Sequence, residues 1–333
     1  MTYPTVFPSM AGPFATEAAG LADPSATSSV FATGAAVGGT GPDSITTGGG
    51  SVWVEYANTG VSTGGGKSEI VQYSLAGAVQ HKHEIAGLVD GLKVDPVTGM
   101  VWALQNQDGN STLSLINPAT HHVSNPLKYA SPPYVYGPNS SRGYDDVAFL
   151  DGKVYLSYTN PVHPKDPVVQ ILDNGNNPSG TLTTTTILRA SQTGIPTPDI
   201  DSLKSTPSGE LVLTSEGDGP GTGNPFAEFT LISHPGAANQ TEKTVTVTNA
   251  KGQHATGMDD VLFPNAIEEG LSSMLSERAP LIEVRTVGFA RCFGRPGPDA
   301  PRPSLQSPSS GDAALNIDLS PAPRPDRSSS RGQ

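Results

Sequence analysis

One pattern recurs through this chain and narrows its fold more than any other. An aspartate precedes a short apolar strand, a glycine turn follows, and a second strand of large residues comes next. The pattern is seen in GPDSITTGGGSVWVEYAN (41–58), LVDGLKVDPVTGMVWALQN (88–106), YDDVAFLDGKVYLSYTN (144–160) and DIDSLKSTPSGELVLTSEGD (199–218). It begins again as MDDVLFPNA (258–266). The anchoring residues are Asp43, Asp90, Asp146, Asp201 and Asp260, at spacings of 47, 56, 55 and 59. After each of the first four anchors comes a turn glycine: Gly50, Gly99, Gly152 and Gly209.

The second strands are Val52-Trp53-Val54, Val101-Trp102-Ala103, Val154-Tyr155-Leu156 and Leu211-Val212-Leu213. Such β-branched and aromatic runs suit a pleated, packed surface. Third strands follow at Ile70–Tyr73, Leu113–Ile116, Val168–Ile171 and Phe229–Ile232, and weaker fourth strands at Thr183–Leu188 and Thr244–Thr248. Four strands per repeat of about 40–50 residues is the pattern of a propeller blade. The expected fold is therefore all-β: a β-propeller with four full blades and a fifth begun at Asp260, where a closed ring takes six or seven. A sandwich or β-helix built of similar strands has no reason to restart on the same residue at this interval.

Domain organisation follows. Residues 1–28 are a loose Pro/Ala/Ser-rich lead, 29–266 carry the repeats, and 267–333 form an atypical, largely disordered tail. A strand at Ser29–Thr33 is expected to complete the last blade and so hide its edge. In the tail, 267–282 reads as a helix and 281–289 as a strand, and neither repeats the blade. Residues 1–266 hold nine Lys and two Arg against 23 acids, whereas the tail holds no Lys, eight Arg and eight acids. That break marks the tail as a segment unrelated to the blades, either replaced or read in another frame.

Composition excludes several classes. Charged residues are 15% of the chain, while Gly and Pro number 38 and 31. A coiled coil or helical bundle needs far more Ala, Glu, Lys and Leu. No apolar run is long enough for a membrane-spanning helix. The net charge of −12 disfavours nucleic acid and anionic membranes and suits a cation or small-molecule ligand. A single cysteine, Cys292, excludes an intrachain disulfide and any multi-cysteine metal site. The Ser-, Thr-, Asn- and Gly-rich composition points to an extracellular or periplasmic setting, although no signal segment is evident.

The segment Val89–Pro96, with Gly99 and Val101–Leu104, resembles the repeat of gluconolactonase-like and NHL-type propellers. The likeness holds at repeat level over roughly two thirds of the chain. It implies a divalent metal, often Ca²⁺, in the central channel, with an aspartate there also serving acid/base chemistry. The corresponding position is Asp90, the candidate catalytic residue. The family's glutamate and asparagine ligands have no matching motif here, and each repeat offers aspartate instead.

The candidate metal ligands are accordingly Asp43, Asp90, Asp146, Asp201 and Asp260, with Asp145, Asp199 and Asp259 beside them. Hard carboxylate oxygens suit Ca²⁺ or another divalent cation. The competing reading is structural, with each aspartate accepting backbone N–H bonds at a strand start. Asp108-Gly109-Asn110 and Asp218-Gly219 echo calcium loops only weakly, and turn chemistry explains them better. Gly64-Gly65-Gly66-Lys67-Ser68 lacks the first glycine of a phosphate loop and lies between strands. No Gly-x-Ser-x-Gly elbow exists, which excludes an α/β-hydrolase. His81 and His83 alternate on one strand face, and His121-His122 lie further on. With no third ligand identifiable, they read as surface or loop histidines.

Overall fold

The computed structural model describes residues 30–130, 143–159, 161, 163–194, 200–206, 208–217, 225–247 and 254–256, together with the backbone of 314–316. Each repeat folds as a four-stranded antiparallel meander. In chain order, β1 (Val30–Thr33) and a single helical turn α1 (Gly34–Val37) precede blade 1. Blade 1 is β2 (Pro42–Gly48), β3 (Ser51–Tyr56), β4 (Lys67–Ser74) and β5 (Val79–Ala86). Blade 2 is β6 (Val89–Val94), β7 (Val101–Gln105), β8 (Thr112–Ile116) and β9 (Leu127–Tyr129). Blade 3 is β10 (Tyr144–Leu150), β11 (Lys153–Tyr158), β12 (Pro167–Leu172) and, after the short β13 (Thr181–Leu182), β14 (Thr184–Arg189). A turn of helix, α2 (Ala190–Thr193), leads to blade 4: β15 (Ile200–Ser205), β16 (Glu210–Ser215), β17 (Glu228–Ser233) and β18 (Thr241–Thr246).

The arrangement is that of an incomplete β-propeller. The first strands lie side by side in order, β2 against β6, β6 against β10 and β10 against β15. Each sheet then packs its face on the next. Trp53, Ile70 and Ile85 of blade 1 meet Leu92, Val101 and Ile116 of blade 2. Trp102 and Leu113 of blade 2 meet Val147 and Leu156 of blade 3, and Tyr155 and Val169 of blade 3 meet Leu203 and Leu213 of blade 4. A second strand inside such a stack is covered on both faces, so all five residues of β7 are buried. This is why Val-Trp-Ala-Leu replaces the apolar–polar alternation of a one-faced sheet.

Turn chemistry sets the hairpins. Between β10 and β11, Leu150 pairs with Lys153 across Asp151 (φ 50°) and Gly152 (φ 70°). Both central residues are left-handed, as the tight hairpin turn that follows strand twist requires.

Two elements depart from the sequence expectation. The N-terminal strand does not complete a blade: β1 pairs with β19 (Ala314–Asn316) in a separate two-stranded sheet. Its Phe31 instead packs edge-on against Tyr73 on the outward face of blade 1. That apolar face has no preceding blade to cover it among the described residues, and Phe31 and Ala32 shield it. The second departure is β13, which leaves blade 3 to pair in parallel with β9. It makes blade 2 a five-stranded sheet. The proposed start of a fifth blade at Asp260 lies outside the described residues, as do the helix and strand expected at 267–289.

Candidate functional site: the bulged inner strands

The repeated aspartate has a common structural origin. In every blade the first strand carries one extra residue against the second. Pro42 and Ile45 pair with Tyr56 and Val54, and Val89 and Leu92 with Gln105 and Ala103. Tyr144 and Val147 pair with Tyr158 and Leu156, and Ile200 and Leu203 with Ser215 and Leu213. Three residues thus span what two span opposite, which defines a β-bulge and re-aims the side chains within it. The bulged pairs are Asp43-Ser44, Asp90-Gly91, Asp145-Asp146 and Asp201-Ser202. The register therefore places Asp145, and not Asp146, in line with Asp43, Asp90 and Asp201. The doubled aspartate in the third repeat shifted the sequence alignment by one.

The second bulge position reaches for the next blade. The Ser44 hydroxyl donates to the Asp90 carbonyl. Gly91 has no side chain because a Cβ there would lie 2.4 Å from the Asp145 carbonyl oxygen. Asp146 does most. Its Oδ2 accepts from the Leu203 amide at 3.0 Å and from Lys204 Nζ at 3.1 Å, and lies 3.6 Å from Lys93 Nζ. Its Oδ1 accepts from the Val147 amide at 2.8 Å. One carboxylate joins β6, β10 and β15. Burial alone would raise its pKa, but the Lys204 and Lys93 ammonium groups and the two amides hold it below the ordinary carboxylate value.

The second strand supports the bulge from behind. In blade 3 the Ser157 hydroxyl accepts from the Asp146 amide at 2.8 Å, and in blade 4 the Thr214 hydroxyl accepts from the Ser202 amide at 3.0 Å. The equivalent position in blade 1 is Glu55, since Tyr56, Tyr158 and Ser215 are matched by their pairing. Glu55 is 0% exposed, and neither carboxyl oxygen has a well-formed hydrogen bond. Burial raises its pKa well above the usual value. The nearby Ser68 hydroxyl lowers it in part, the adjacent Asp90 carboxylate raises it further, and the Ser44 amide tempers it. A carboxyl stands where a hydroxyl suffices elsewhere. The sequence reading passed over Glu55 because it sits inside an apolar strand. Its signal was a lone acid in a run of otherwise apolar and aromatic residues.

The other predicted residues fall as follows. Asp43 and Asp201 are partly buried, Asp90 and Asp145 buried. Asp199, Asp259 and Asp260 lie outside the described residues. Asp43, Asp90, Asp146 and Asp201 do not gather into a common cluster of ligand atoms. Among the described residues, that arrangement is found for His81, His83 and His121, whose ligand atoms all lie within 4.8 Å of one another. The sequence offered no third partner for His81 and His83; the structure supplies one from the next blade. His83 is buried, and burial together with His81 and His121 beside it pushes its pKa down to about 4.

No family model matches the chain, and no curated protein matches it. Solved structures do. Hydrazine synthase of Kuenenia stuttgartiensis is similar over 62% of this chain and 55% of that one, at 11% identity and a TM-score of 0.41. An ulvan lyase is similar over 62% and 57%, at 8% identity and 0.39. An α-L-arabinofuranosidase of Podospora anserina is similar over 66% and 67%, at 11% identity and 0.37. The chain spans somewhat more than half the length of the first two. Among the described residues, no helix is long and apolar enough to cross a membrane.

Proposed function

We propose that this propeller is a binding protein that presents a divalent cation on its channel face, where the bulge of blade 2 meets the second strand of blade 1. The observation that supports this is the Glu55–Asp90 pair. Two carboxyl groups brought together under burial must share a proton, accept a cation, or repel. Asp146 shows the alternative solution within the same chain, because two lysines compensate it. Among the described residues no ammonium plays that part for Glu55: burial shifts it most, followed by Ser68, Asp90 and Ser44. Its two buried oxygens, neither in a well-formed hydrogen bond, suit a hard cation, which takes six to eight oxygens and fills the remainder with hydroxyls, carbonyls or water. Of the five predicted aspartates, Asp90 is the ligand this reading retains first. Asp43 and Asp201 stay secondary candidates, Asp146 is already engaged by Lys93 and Lys204, and Asp260 lies outside the described residues.

The test is thermal unfolding of the purified chain, stripped of metal, with Ca²⁺, Mg²⁺ or Mn²⁺ added. A ligand held only by the folded state at one hundred times its Kd stabilises by about 2.7 kcal/mol. The proposal expects a saturable rise in Tm that is lost in Glu55→Gln and Asp90→Asn. No rise with any of the three ions at millimolar concentration contradicts it.

A second reading follows from the same pair and from the gluconolactonase-like repeat. The protein would then be a metal-dependent hydrolase of a lactone or ester. A bound cation would polarise the substrate carbonyl and lower the pKa of water. Asp90 would accept a proton, while Glu55, whose pKa burial raises, would donate one. Two carboxyls in different environments are a recognised acid/base arrangement. Turnover across a lactone and aryl-ester panel, abolished by chelator and by Asp90→Asn, supports the hydrolase. Cation binding without turnover leaves the binding protein.

A further inference from the structure

We propose that His81, His83 and His121 form a second, chemically distinct metal site, selective for a borderline transition-metal ion of the Zn²⁺ class and bridging blades 1 and 2. The site needs nothing from the channel carboxylates and stands apart from the function proposed for them.

The fold builds it from two elements. β5 is the outermost strand of blade 1, and alternation turns His81, His83 and Ile85 to one face. Ile85 lies in the core shared with blade 2, so that face is the seam between the blades. Across the seam, blade 2 presents the turn between β8 and β9. The Asn117 side chain accepts from the Ala119 and Thr120 amides at 2.9 and 3.2 Å. The His121 amide donates to the Asn117 carbonyl, and the Asn117 amide to that of His122. The chain is left-handed at His121 (φ 58°). That conformation is unfavourable for a residue with a side chain, so the turn holds His121 over the seam by a specific set of bonds.

Three observations point to a metal. First, one ligand atom from each imidazole lies within 4.8 Å of the others. Nitrogens bound 2.0–2.1 Å from one tetrahedral centre are about 3.3 Å apart, so the set must draw closer and one ring must turn. Second, the ligand that must be fixed is fixed. His83 is 3% exposed, lies against Trp53, and has a buried Nε2 with no hydrogen-bond partner. His81 is partly buried and His121 exposed, which leaves both free to adjust. Third, the set is all nitrogen. Neutral imidazoles suit Zn²⁺, Cu²⁺ and Ni²⁺, whereas Ca²⁺ and Mg²⁺ take oxygen. Three protein ligands leave a fourth position, on the exposed side, for water or an outside ligand.

The geometry also states what binding must change. The His81 and His121 rings are stacked, 3.9 Å between centroids and 17° between planes. A metal lies in the plane of each imidazole it binds, so parallel stacked rings cannot share one. The exposed His121 ring must rotate out of the stack, a turn about its broad terminal torsion.

The experiment is titration of the metal-stripped full chain with Co²⁺ and Zn²⁺, followed by visible absorption and calorimetry. The expected result is one equivalent of Co²⁺ with an intense four-coordinate visible spectrum, displaced by Zn²⁺ and unaffected by millimolar Ca²⁺. His121→Ala, in an exposed turn, should fold and weaken Zn²⁺ binding at least tenfold, as should His81→Ala. His122→Ala, next door but outside the cluster, should bind as the parent does. Equal Zn²⁺ affinity in the parent and in His121→Ala overturns the proposal. So does Zn²⁺ binding that is abolished by Asp90→Asn or Glu55→Gln instead, or no binding at micromolar Zn²⁺.

Discussion

Blades 1 and 3 carry the same bulge and have resolved its electrostatics in opposite ways. In blade 3 a hydroxyl, Ser157, holds the bulge amide, and the buried acid Asp146 is neutralised by Lys93 and Lys204 from the flanking blades. In blade 1 the corresponding residue is Glu55, buried beside Asp90, and its pKa is pushed up rather than down. One backbone device thus supports a structural carboxylate in one place and an uncompensated one in another. Buried acids are retained where they are paired or where they have work to do. Blade 3 has the pairing; blade 1 is where the proposed cation would sit.

The largest effect that would break this contrast is expected from Asp146→Ala. It takes this acid from the partly buried Lys93 and Lys204 and this acceptor from the Leu203 and Val147 amides. Removal of one partner from a buried pair costs about 3–5 kcal/mol. Chemical denaturation should show a loss of that size; a loss below about 1 kcal/mol would show that Asp146 does not brace the inner strands.

The second effect is the sign of the pH dependence. Glu55 binds its proton more tightly when folded, so its contribution is fully present below the unfolded carboxylate pKa and is lost as pH rises through the raised folded value. Asp146 is the reverse: its contribution is present above the unfolded value and is lost as pH falls through the depressed one. Tm measured from pH 3 to 9 should fall at the acid end through Asp146 and decline through Glu55 as pH rises above the ordinary carboxylate range. Glu55→Gln should remove that decline and raise Tm at pH 7, by about 2–4 °C for each kcal/mol relieved in a domain of this size. An unchanged decline in that variant would mean that Glu55 is not the group responsible.

Smaller effects sharpen the picture. Ser157→Ala and Thr214→Ala each leave a buried bulge amide without its acceptor, worth about 1–3 kcal/mol, and should destabilise alike. Lys67→Ala removes only the exposed pair with Glu84 and should change stability by less than about 1 kcal/mol.

The propeller itself was legible because it is written in repeats. The second strands, the glycine turns and the blade order all appear as local patterns, and the four described blades follow them. The parts that were not legible depend on register or on contacts distant in sequence. A one-residue bulge decides whether Asp145 or Asp146 occupies the anchor position, and no local pattern distinguishes two adjacent aspartates. Glu55 gains its meaning only beside Asp90, 35 positions later. His121 joins His81 and His83 because a turn of blade 2 overhangs the last strand of blade 1. β13 pairs with β9 across more than 50 residues, and nothing in Thr181-Leu182 announces it.

The central claim is that the Glu55–Asp90 pair, and not the lysine-bridged Asp146, holds a cation. Calorimetric titration of Ca²⁺ into the metal-stripped parent, Asp90→Asn and Lys204→Met tests it most directly. The account predicts one binding event in the parent, none in Asp90→Asn, and parent-like binding in Lys204→Met. Binding that survives in Asp90→Asn, or no binding in the parent, would contradict it.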